Sequence, residues 1–320
     1  MPPASRSGRG APFRSHPGLQ WLEAAEAGRD WLDSLDELVA ECAARWELTV
    51  GDPFAYAHTS FVSAATSASG EPLVLKVQYP DRESEHEAAA LARWDGEGAV
   101  RLVASDPERH ALLLERCEPG ADLSALAPDA ALEVMVELVG KLGVDAEGGF
   151  VSLESEAALW SSALPESYRR AGAPFEESLL VEALSHLEHL ATSQGRQVLL
   201  HQDLHAGNVL ASRRAPWLVI DPKPLSGELE FAVAPIVRGP ELGHSRDLVN
   251  RRLERLVAGL GLDADRARGW VIAQSLAWSF EGTSVLSRHV DVARWLVEGR
   301  RRSRKGSGKS GATQALRREL

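Results

Sequence analysis

Apolar residues recur every three or four places between Trp21 and Leu48, and Trp31, Leu32, Leu35, Leu38, Val39 and Cys42 fall on one side. That spacing predicts a helix with one buried face. The rhythm then changes. "FVSAAT" (61–66), "PLVLKV" (72–77), "AVRLVA" (99–104) and "HALLLERC" (110–117) are apolar runs of strand length. "SASGE" (67–71) supplies turn residues between the first two, and "RESEHEAAALARW" (82–94) interrupts the strands with a helical stretch. The first third of the chain therefore predicts a small sheet with one inserted helix.

From Asp129 the pattern turns mainly helical, in "DAALEVMVELVGKL", "LESEAALWSSAL" and "EESLLVEALSHLEHLATSQ". Two short strand candidates, "NVLA" and "WLVI", follow. Helical spacing then resumes in "GHSRDLVNRRLERLVAGLGL", "DADRARGWVIAQSLAWSFEGT" and "SRHVDVARWLVEGR". Strands first and helices later predict an α+β chain of two lobes, the first small and mainly β, the second larger and mainly helical. The expected organisation is a flexible start over 1–19, a first lobe with its preceding helices over 20–118, a second lobe over 119–299, and a basic flexible tail over 300–320. Phe231, Trp270 and Trp278 are expected in the core.

Charge narrows the function classes. The net charge is −11, yet residues 299–320 carry eight Lys/Arg against Glu319 and residues 1–20 carry three Arg, leaving roughly −21 on the body. An acidic body disfavours nucleic acid and favours cationic small molecules. No apolar run approaches a membrane span, and the first residues contain no apolar signal core. Cys42 and Cys117 are too few for a disulfide framework or a zinc site. These readings imply a cytoplasmic protein with no obligate protein partner evident. "GSGKSG" (306–311) imitates a nucleotide-binding loop by letters alone, because no strand precedes it and no apolar helix follows.

The chemistry concentrates in "HQDLHAGNVLASRRAPWLVIDPKPL" (201–225). Phosphoryl transfer needs a group that takes the proton of an attacking hydroxyl, oxygen ligands for Mg²⁺, and a cation on the phosphates. Asp203 suits the first task. Asn208 offers an amide oxygen, and "WLVI" would carry Asp221 back beside it as a hairpin partner, giving two ligands for one Mg²⁺. Lys76 in "PLVLKV" has apolar neighbours on both sides, as a buried lysine would. Such a lysine needs a carboxylate, for which Glu87 is the first choice and Glu83 and Glu85 are alternatives. His201 and His205 bracket Asp203 and read as hydrogen-bonding supports of the loop.

Together with "HEAAALARWDGEGAVRLV", "ALLLERCEPGADL", "PWLVIDPKPLSGELEF" and "DRARGWVIAQSLAW", these segments resemble the aminoglycoside phosphotransferase family, in its streptomycin 6-kinase and hydroxyurea phosphotransferase branch. The resemblance runs from about residue 70 to 280. It implies a protein-kinase-like fold, ATP and Mg²⁺, with Lys76 as the phosphate-binding lysine, Glu87 as its helix partner, Asp203 as the catalytic acid, and Asn208 and Asp221 as metal ligands. It places "ERC" (115–117) at the hinge, where backbone groups of Glu115 and Cys117 would bond adenine. The acceptor it implies is an aminoglycoside of the streptomycin type, with hydroxyurea or another hydroxylated metabolite as the alternative. A pseudokinase-like nucleotide-binding protein is a further alternative.

Three features depart from the branch. Gln202 stands where Gly is usual, and its side chain would crowd the loop or point to solvent. "AVAP" after "SGELEF" lacks an Asp that many relatives show nearby. "AHTSFVSA" stands before Lys76 in place of a G-x-G-x-x-G loop, which the family tolerates. Pro222 is expected to hold Asp221 in an extended conformation.

Overall fold

The computed structural model describes residues 13–55, 59–147 and 149–299. The tail expected over 300–320 lies outside them. The chain divides into two compact units, Met1–Gly120 with Ser212–Arg214, and Ala121–Ala211 with Ala215–Leu320.

In the first unit, α1 (Glu26–Arg45) is followed by strands β1 (Thr49–Pro53), β2 (Ser60–Thr66) and β3 (Pro72–Gln78). Helix α2 (Glu87–Trp94) and strands β4 (Leu102–Asp106) and β5 (Ala111–Glu115) complete it. The sheet order is β1-β2-β3-β5-β4, antiparallel throughout. The apolar stripe of α1 does what its spacing predicts. Trp31, Leu32, Leu35, Val39 and Cys42 share one core with Phe61, Leu73, Leu75, Val77 and Leu113 of the sheet, and Leu38 lies partly buried at its edge. Area removed from water on this scale is the main stabilising term for such a layer.

Three local readings change. Residues 13–19 are not a flexible lead-in but form 3₁₀ turns over Phe13–Ser15 and Pro17–Ala24. Leu19 is fully buried, the Phe13 ring lies 4.5 Å from that of Phe61, and His16 Nε2 lies 3.0 Å from the Phe54 carbonyl oxygen. Single apolar anchors in a Pro/Gly-rich stretch leave no periodic trace. Helix α2 starts at Glu87 and not near Arg82 because Asp81 Oδ1 accepts from the amides of Glu83 and Ser84 (2.9 and 2.8 Å), a turn that competes with helix. Strand β4 starts at Leu102, since Ala99 and Val100 are buried ahead of the ladder and not in it.

The second unit contains α3 (Pro128–Leu142), α4 (Leu153–Arg170) and α5 (Glu177–Ala191), then strands β6 (Val198–Leu200), β7 (Val209–Ala211), β8 (Trp217–Val219) and β9 (Leu225–Gly227). Helices α6 (Ala234–Arg238), α7 (Arg246–Leu260) and α8 (Ala264–Ala277) follow. A small hairpin of β10 (Phe280–Glu281) and β11 (Ser284–Val285) leads into α9, over 287–299. Two helix starts carry the side-chain caps that Ser and Asp favour: Ser152 Oγ accepts from the Ser155 amide, and Asp263 Oδ1 from the amides of Asp265 and Arg266.

Helix α8 is the axis of this unit. Trp270, Val271, Ile272 and Ala273 are all fully buried, so it is covered on every side, by α4, α5, α6 and α7 among others. Phe231 and Trp270 are core residues, as expected, with ring centroids 5.5 Å apart. Buried Glu228 ties this core to its surroundings. It accepts from Arg266 Nη2 and Nε at 2.7 and 2.9 Å and from the indole nitrogen of Trp270. Strands β6 and β9 pair with each other and leave β7 and β8 as a separate hairpin. Among the described residues, no helix is long and apolar enough to cross a membrane.

Candidate active site

Lys76 lies on β3, the central strand of its sheet, with Val62 on one side and Leu112 on the other. An edge-strand lysine with a hydrated head is thereby ruled out. Its Nζ is 2.6 Å from Glu87 Oε2, and both side chains are almost wholly buried. Glu87, not Glu83 or Glu85, is the partner. Gln78, two places along the strand, donates Nε2–H to the same oxygen at 2.7 Å. A buried ammonium in this setting persists only where paired and hydrogen-bonded, and the pair fixes the lysine head rather than leaving it mobile.

The end of β5 holds the other residues assigned to the first unit. The Glu115 amide donates to the Arg101 carbonyl oxygen at 3.0 Å, which fixes the backbone at this end of β5. Its carboxylate takes two bonds from Arg214, at 2.8 and 2.9 Å, and Arg214 also bonds the carbonyls of Gly96 and Ala99. Burial raises the Cys117 pKa to about 11, so the thiol stays protonated, a small apolar filler.

In the second unit the segment 201–225 folds as its spacing suggests. Strands β7 and β8 pair antiparallel, with Val209 opposite Val219. The Ile220 amide donates to the Asn208 carbonyl oxygen at 3.0 Å, so Asp221 emerges directly beyond Asn208. The side-chain amide of Asn208 donates Nδ2–H to the Asp203 carbonyl oxygen at 3.0 Å. That bond uses the nitrogen end and leaves Oδ1 for another partner. His201 is buried, and burial holds its pKa below the ordinary value. Its neutral ring serves two neighbours: Nε2–H reaches the Ile220 carbonyl oxygen at 2.9 Å, and Nδ1 accepts from the Asp203 amide at 3.3 Å. One side chain thus ties the Asp203 loop to the residue before Asp221. Asp221 has φ +56°, so it is left-handed and not extended. Proline disfavours the right-handed helical region of the residue before it, and Asp is among the few residues that tolerate the left-handed one.

His205 supports the loop from the other side. Its Nδ1 lies 3.2 Å from Glu241 Oε1 and 3.2 Å from the Gly207 amide. Burial opposes its charge, but Glu241 and Asp203 together hold its pKa above the ordinary value.

Two residues that the sequence did not single out flank Asp203. Lys223 Nζ is 3.6 Å from its Oδ2, and Arg238 Nη2 is 3.5 Å from its Oδ1. Both cations stand over the ring of Trp278, at 5.1 and 4.5 Å from its centroid. Trp278 is half-buried and forms a wall here, which corrects the expectation of a core position. The Trp278 carbonyl oxygen in turn lies 2.8 Å from His289 Nδ1. Arg238 is buried at the end of α6, and burial lowers its pKa to about 10, against the pull of Asp203 and Glu241. Its Nη1 has no hydrogen-bond partner among the described residues. Arg252 steadies that segment by bonding the carbonyls of Val237 and Gly243 at 2.9 and 2.8 Å. Lys223 was visible as the third residue of "DPKP". Nothing local marked Arg238 or Trp278, which arrive from α6 and the end of α8.

Gln202 has φ +60°, the region that favours glycine, which accounts for the Gly usual at this position. Its side chain is 2% exposed and does not point to solvent; its Nε2 has no hydrogen-bond partner among the described residues. Its backbone carbonyl accepts from Gln274 Nε2 at 2.9 Å, anchoring the loop on α8. Left-handed strain of about 1–2 kcal/mol and an unpaired buried amide of about 1–3 kcal/mol outweigh the extra unfolded-state entropy of glycine, about 0.5–1 kcal/mol. The margin narrows by the cavity that the lost side chain leaves. Gln202→Gly is therefore expected to raise the melting temperature by roughly 1–2 °C, the shift that about 1 kcal/mol gives in a chain of this size. A lower melting temperature would show that the glutamine packing matters more than its strain.

Residues 45–282 match the family model described as aminoglycoside/hydroxyurea antibiotic resistance kinase. The chain is 38% identical over 281 residues to a hydroxyurea phosphotransferase of Kitasatospora aureofaciens, covering 85% of this chain and 81% of the relative. It is 35% identical over 269 residues to a streptomycin 6-kinase of Streptomyces glaucescens, covering 81% and 87%. Among solved structures it is similar to the aminoglycoside phosphotransferase APH(4)-Ia, with a TM-score of 0.56 at 16% identity, over 81% of this chain and 95% of that one. That likeness shows the fold alone. A thermostable mutant of APH(4)-Ia has been solved in a ternary complex with ADP and hygromycin B.

Proposed function

This chain belongs to the aminoglycoside/hydroxyurea antibiotic resistance kinase family, and from that premise we propose that it transfers the γ-phosphoryl group of ATP to a hydroxyl of a small molecule. The observation that carries the reading is the backbone bond from Ile220 to Asn208, which sets Asp221 beside an asparagine whose Oδ1 is left for a metal. Among the described residues no group of three or more His, Cys, Asp and Glu could hold a metal ion. A two-ligand site completed by phosphate oxygens and water is the arrangement Mg²⁺ favours. When bound, Mg²⁺ neutralises phosphate charge and orients the phosphates.

Each residue then has one task. Lys76, fixed by Glu87, steadies the phosphates. The Glu115 carbonyl and the Cys117 backbone take the adenine edge. Asp203 accepts the proton of the acceptor hydroxyl as its oxygen attacks the γ-phosphorus. The bond to the β–γ bridging oxygen breaks, and ADP leaves with that electron pair. His201 and Asn208 hold the Asp203 loop, so its carboxylate is placed before the acceptor arrives.

The acceptor of the leading reading is an aminoglycoside of the streptomycin type, favoured by the acidic body of the chain. A second reading, hydroxyurea, is favoured by Lys223 and Arg238 beside Asp203, since two local cations repel guanidinium groups more than a neutral acceptor. ADP release measured with streptomycin, other aminoglycosides and hydroxyurea in turn tests both, with mass spectrometry of the acceptor as the check. One acceptor should give ADP and phosphorylated product in equal amounts. ADP release that never exceeds the acceptor-free rate would reject transfer and leave a nucleotide-holding protein.

A further inference from the structure

The bonds that hold the Asp203 loop do not hold the Asp203 carboxylate. The His201 ring accepts from the Asp203 amide at 3.3 Å, and Asn208 Nδ2–H donates to the Asp203 carbonyl oxygen at 3.0 Å. Both bonds fix main-chain atoms. Neither acts on the torsion that turns the carboxylate, which is soft and roughly two-fold in aspartate. A proton acceptor must bring one oxygen within about 2.6–3.2 Å of the hydroxyl, so this torsion matters as much as the loop.

Two cations act on the carboxylate, one on each oxygen: Arg238 Nη2 on Oδ1 at 3.5 Å and Lys223 Nζ on Oδ2 at 3.6 Å. Arg238 is the more firmly placed. Its side chain is 7% exposed, and its guanidinium stands over the Trp278 ring, 4.5 Å from the centroid. Its backbone is anchored on both sides. Arg252 Nη2 donates to the carbonyl oxygen of Val237, the residue before, at 2.9 Å. The amide of Gly239, the residue after, donates to the Pro235 carbonyl oxygen at 2.9 Å. Stability does not account for this placement. Burial opposes the charge of Arg238, and its contact with Asp203 is longer than a good charge-assisted bond. A buried ion pair of that kind is weak support for a fold. Its attraction is nonetheless little screened by salt, and it comes from one fixed direction.

We propose that Arg238 is a positioning residue for the transfer step: its buried guanidinium draws Oδ1 of Asp203 to one side and so sets the rotation of the carboxylate that receives the hydroxyl proton. This rests on the phosphotransferase reading above. The balance of the step is unchanged by it: the acceptor oxygen bonds to the γ-phosphorus, the bond to the β–γ bridging oxygen breaks, and the hydroxyl proton goes to Asp203. Arg238 gives up no proton and acts only through Asp203. The carboxylate is turned before the acceptor arrives, so no part of the barrier goes into turning it.

The test uses the acceptor that gives ADP with the parent. Arg238→Met keeps side-chain length and an apolar contact with Trp278 but removes the charge. It should lower kcat by about 10²-fold, the cost of misplacing a reacting group by about 1 Å, with KM for ATP moving less than about threefold. Arg238→Lys keeps the charge on a shorter, more flexible stem and should lose only about tenfold. The deciding measurement is a double-mutant cycle in kcat with Asp203→Asn, its low rates read by mass spectrometry of the acceptor after long incubation. Asparagine takes no proton, so nothing is left for Arg238 to aim. In that background the loss caused by Arg238→Met should shrink to less than about threefold. An arginine that holds the site as a whole, or that contacts the phosphoryl group itself, would keep most of its effect there. Melting curves establish that each variant is folded, and Arg238→Lys takes the place of Arg238→Met in the cycle if the latter does not fold. Losses that multiply across the cycle, a parent-like kcat, or a loss carried by KM alone overturn the assignment while the phosphotransferase reading stands. No turnover by the parent with any acceptor removes both.

Discussion

Asp203→Asn is expected to lower kcat by about 10³-fold while nucleotide affinity stays within about threefold of the parent. The loss combines two terms: a general base contributes roughly 10²–10⁴-fold, and positioning of the nucleophile adds to it. Asparagine nearly preserves shape and can still accept a hydrogen bond from the hydroxyl, but it cannot take the proton. Nucleotide affinity is spared because the groups assigned to the phosphates and metal are Lys76, Asn208 and Asp221. Stability will also fall, since Arg238 is buried 3.5 Å from Asp203 and loses its counter-charge. The decisive readout is therefore kcat set against nucleotide binding in protein shown to be folded by its melting curve. A parent-like kcat in the folded variant removes Asp203 from the chemistry.

The loop around Asp203 shows what a sequence carries and what it conceals. Asp203, Asn208 and Asp221 were legible because their separations map onto one loop and one hairpin, and a hairpin register is a local property. Lys76 and Glu87 were legible for a similar reason: they lie 11 residues apart, on a strand and the helix that follows it. Helix phase alone did not choose among Glu83, Glu85 and Glu87. The Asx turn at Asp81 did, by delaying the start of α2 until Glu87. Trp278 and Arg238 were hidden because they come from the ends of α8 and α6, and their meeting with Asp203 is tertiary. Strand β1 was missed for another reason: "TVGDP" carries a Gly, a Pro and a largely exposed pattern, as an edge strand can afford to. The two three-residue strands β6 and β9 are too short to show any period.

Gln202 and Asp221 share a feature that composition does not reveal. Both are non-glycine residues at positive φ, +60° and +56°, and they flank the proposed chemistry on either side of His201's two hydrogen bonds. Such backbone strain persists only where the surroundings over-determine it. Here the surroundings are named: Gln274 holds the Gln202 carbonyl, and His201 holds the Ile220 carbonyl. Helix α8, buried all round, supplies Gln274 and ends at Trp278, so one rigid element supports both the loop and the wall of the site.

Asp221→Asn is expected to raise the Mg²⁺ concentration needed for half-maximal nucleotide binding by at least about tenfold, and to lower kcat by about 10²-fold at fixed Mg²⁺. Asparagine is the right replacement because it tolerates left-handed backbone nearly as well as aspartate, whereas alanine at φ +56° would add strain to the result. The variant keeps an oxygen facing the metal but loses the charge, and for a hard cation with few protein ligands the charge dominates. Asn208 is neutral, so Asp221 is the single formal negative charge in the proposed ligand pair. Nucleotide binding without Mg²⁺ should stay near that of the parent, because Lys76 and the end of β5 are untouched. Titrating Mg²⁺ against a fluorescent ATP analogue reads both quantities in one experiment. An unchanged Mg²⁺ midpoint would mean that the metal is held by other groups, and the pairing of Asn208 with Asp221 would then be a structural register with no metal role.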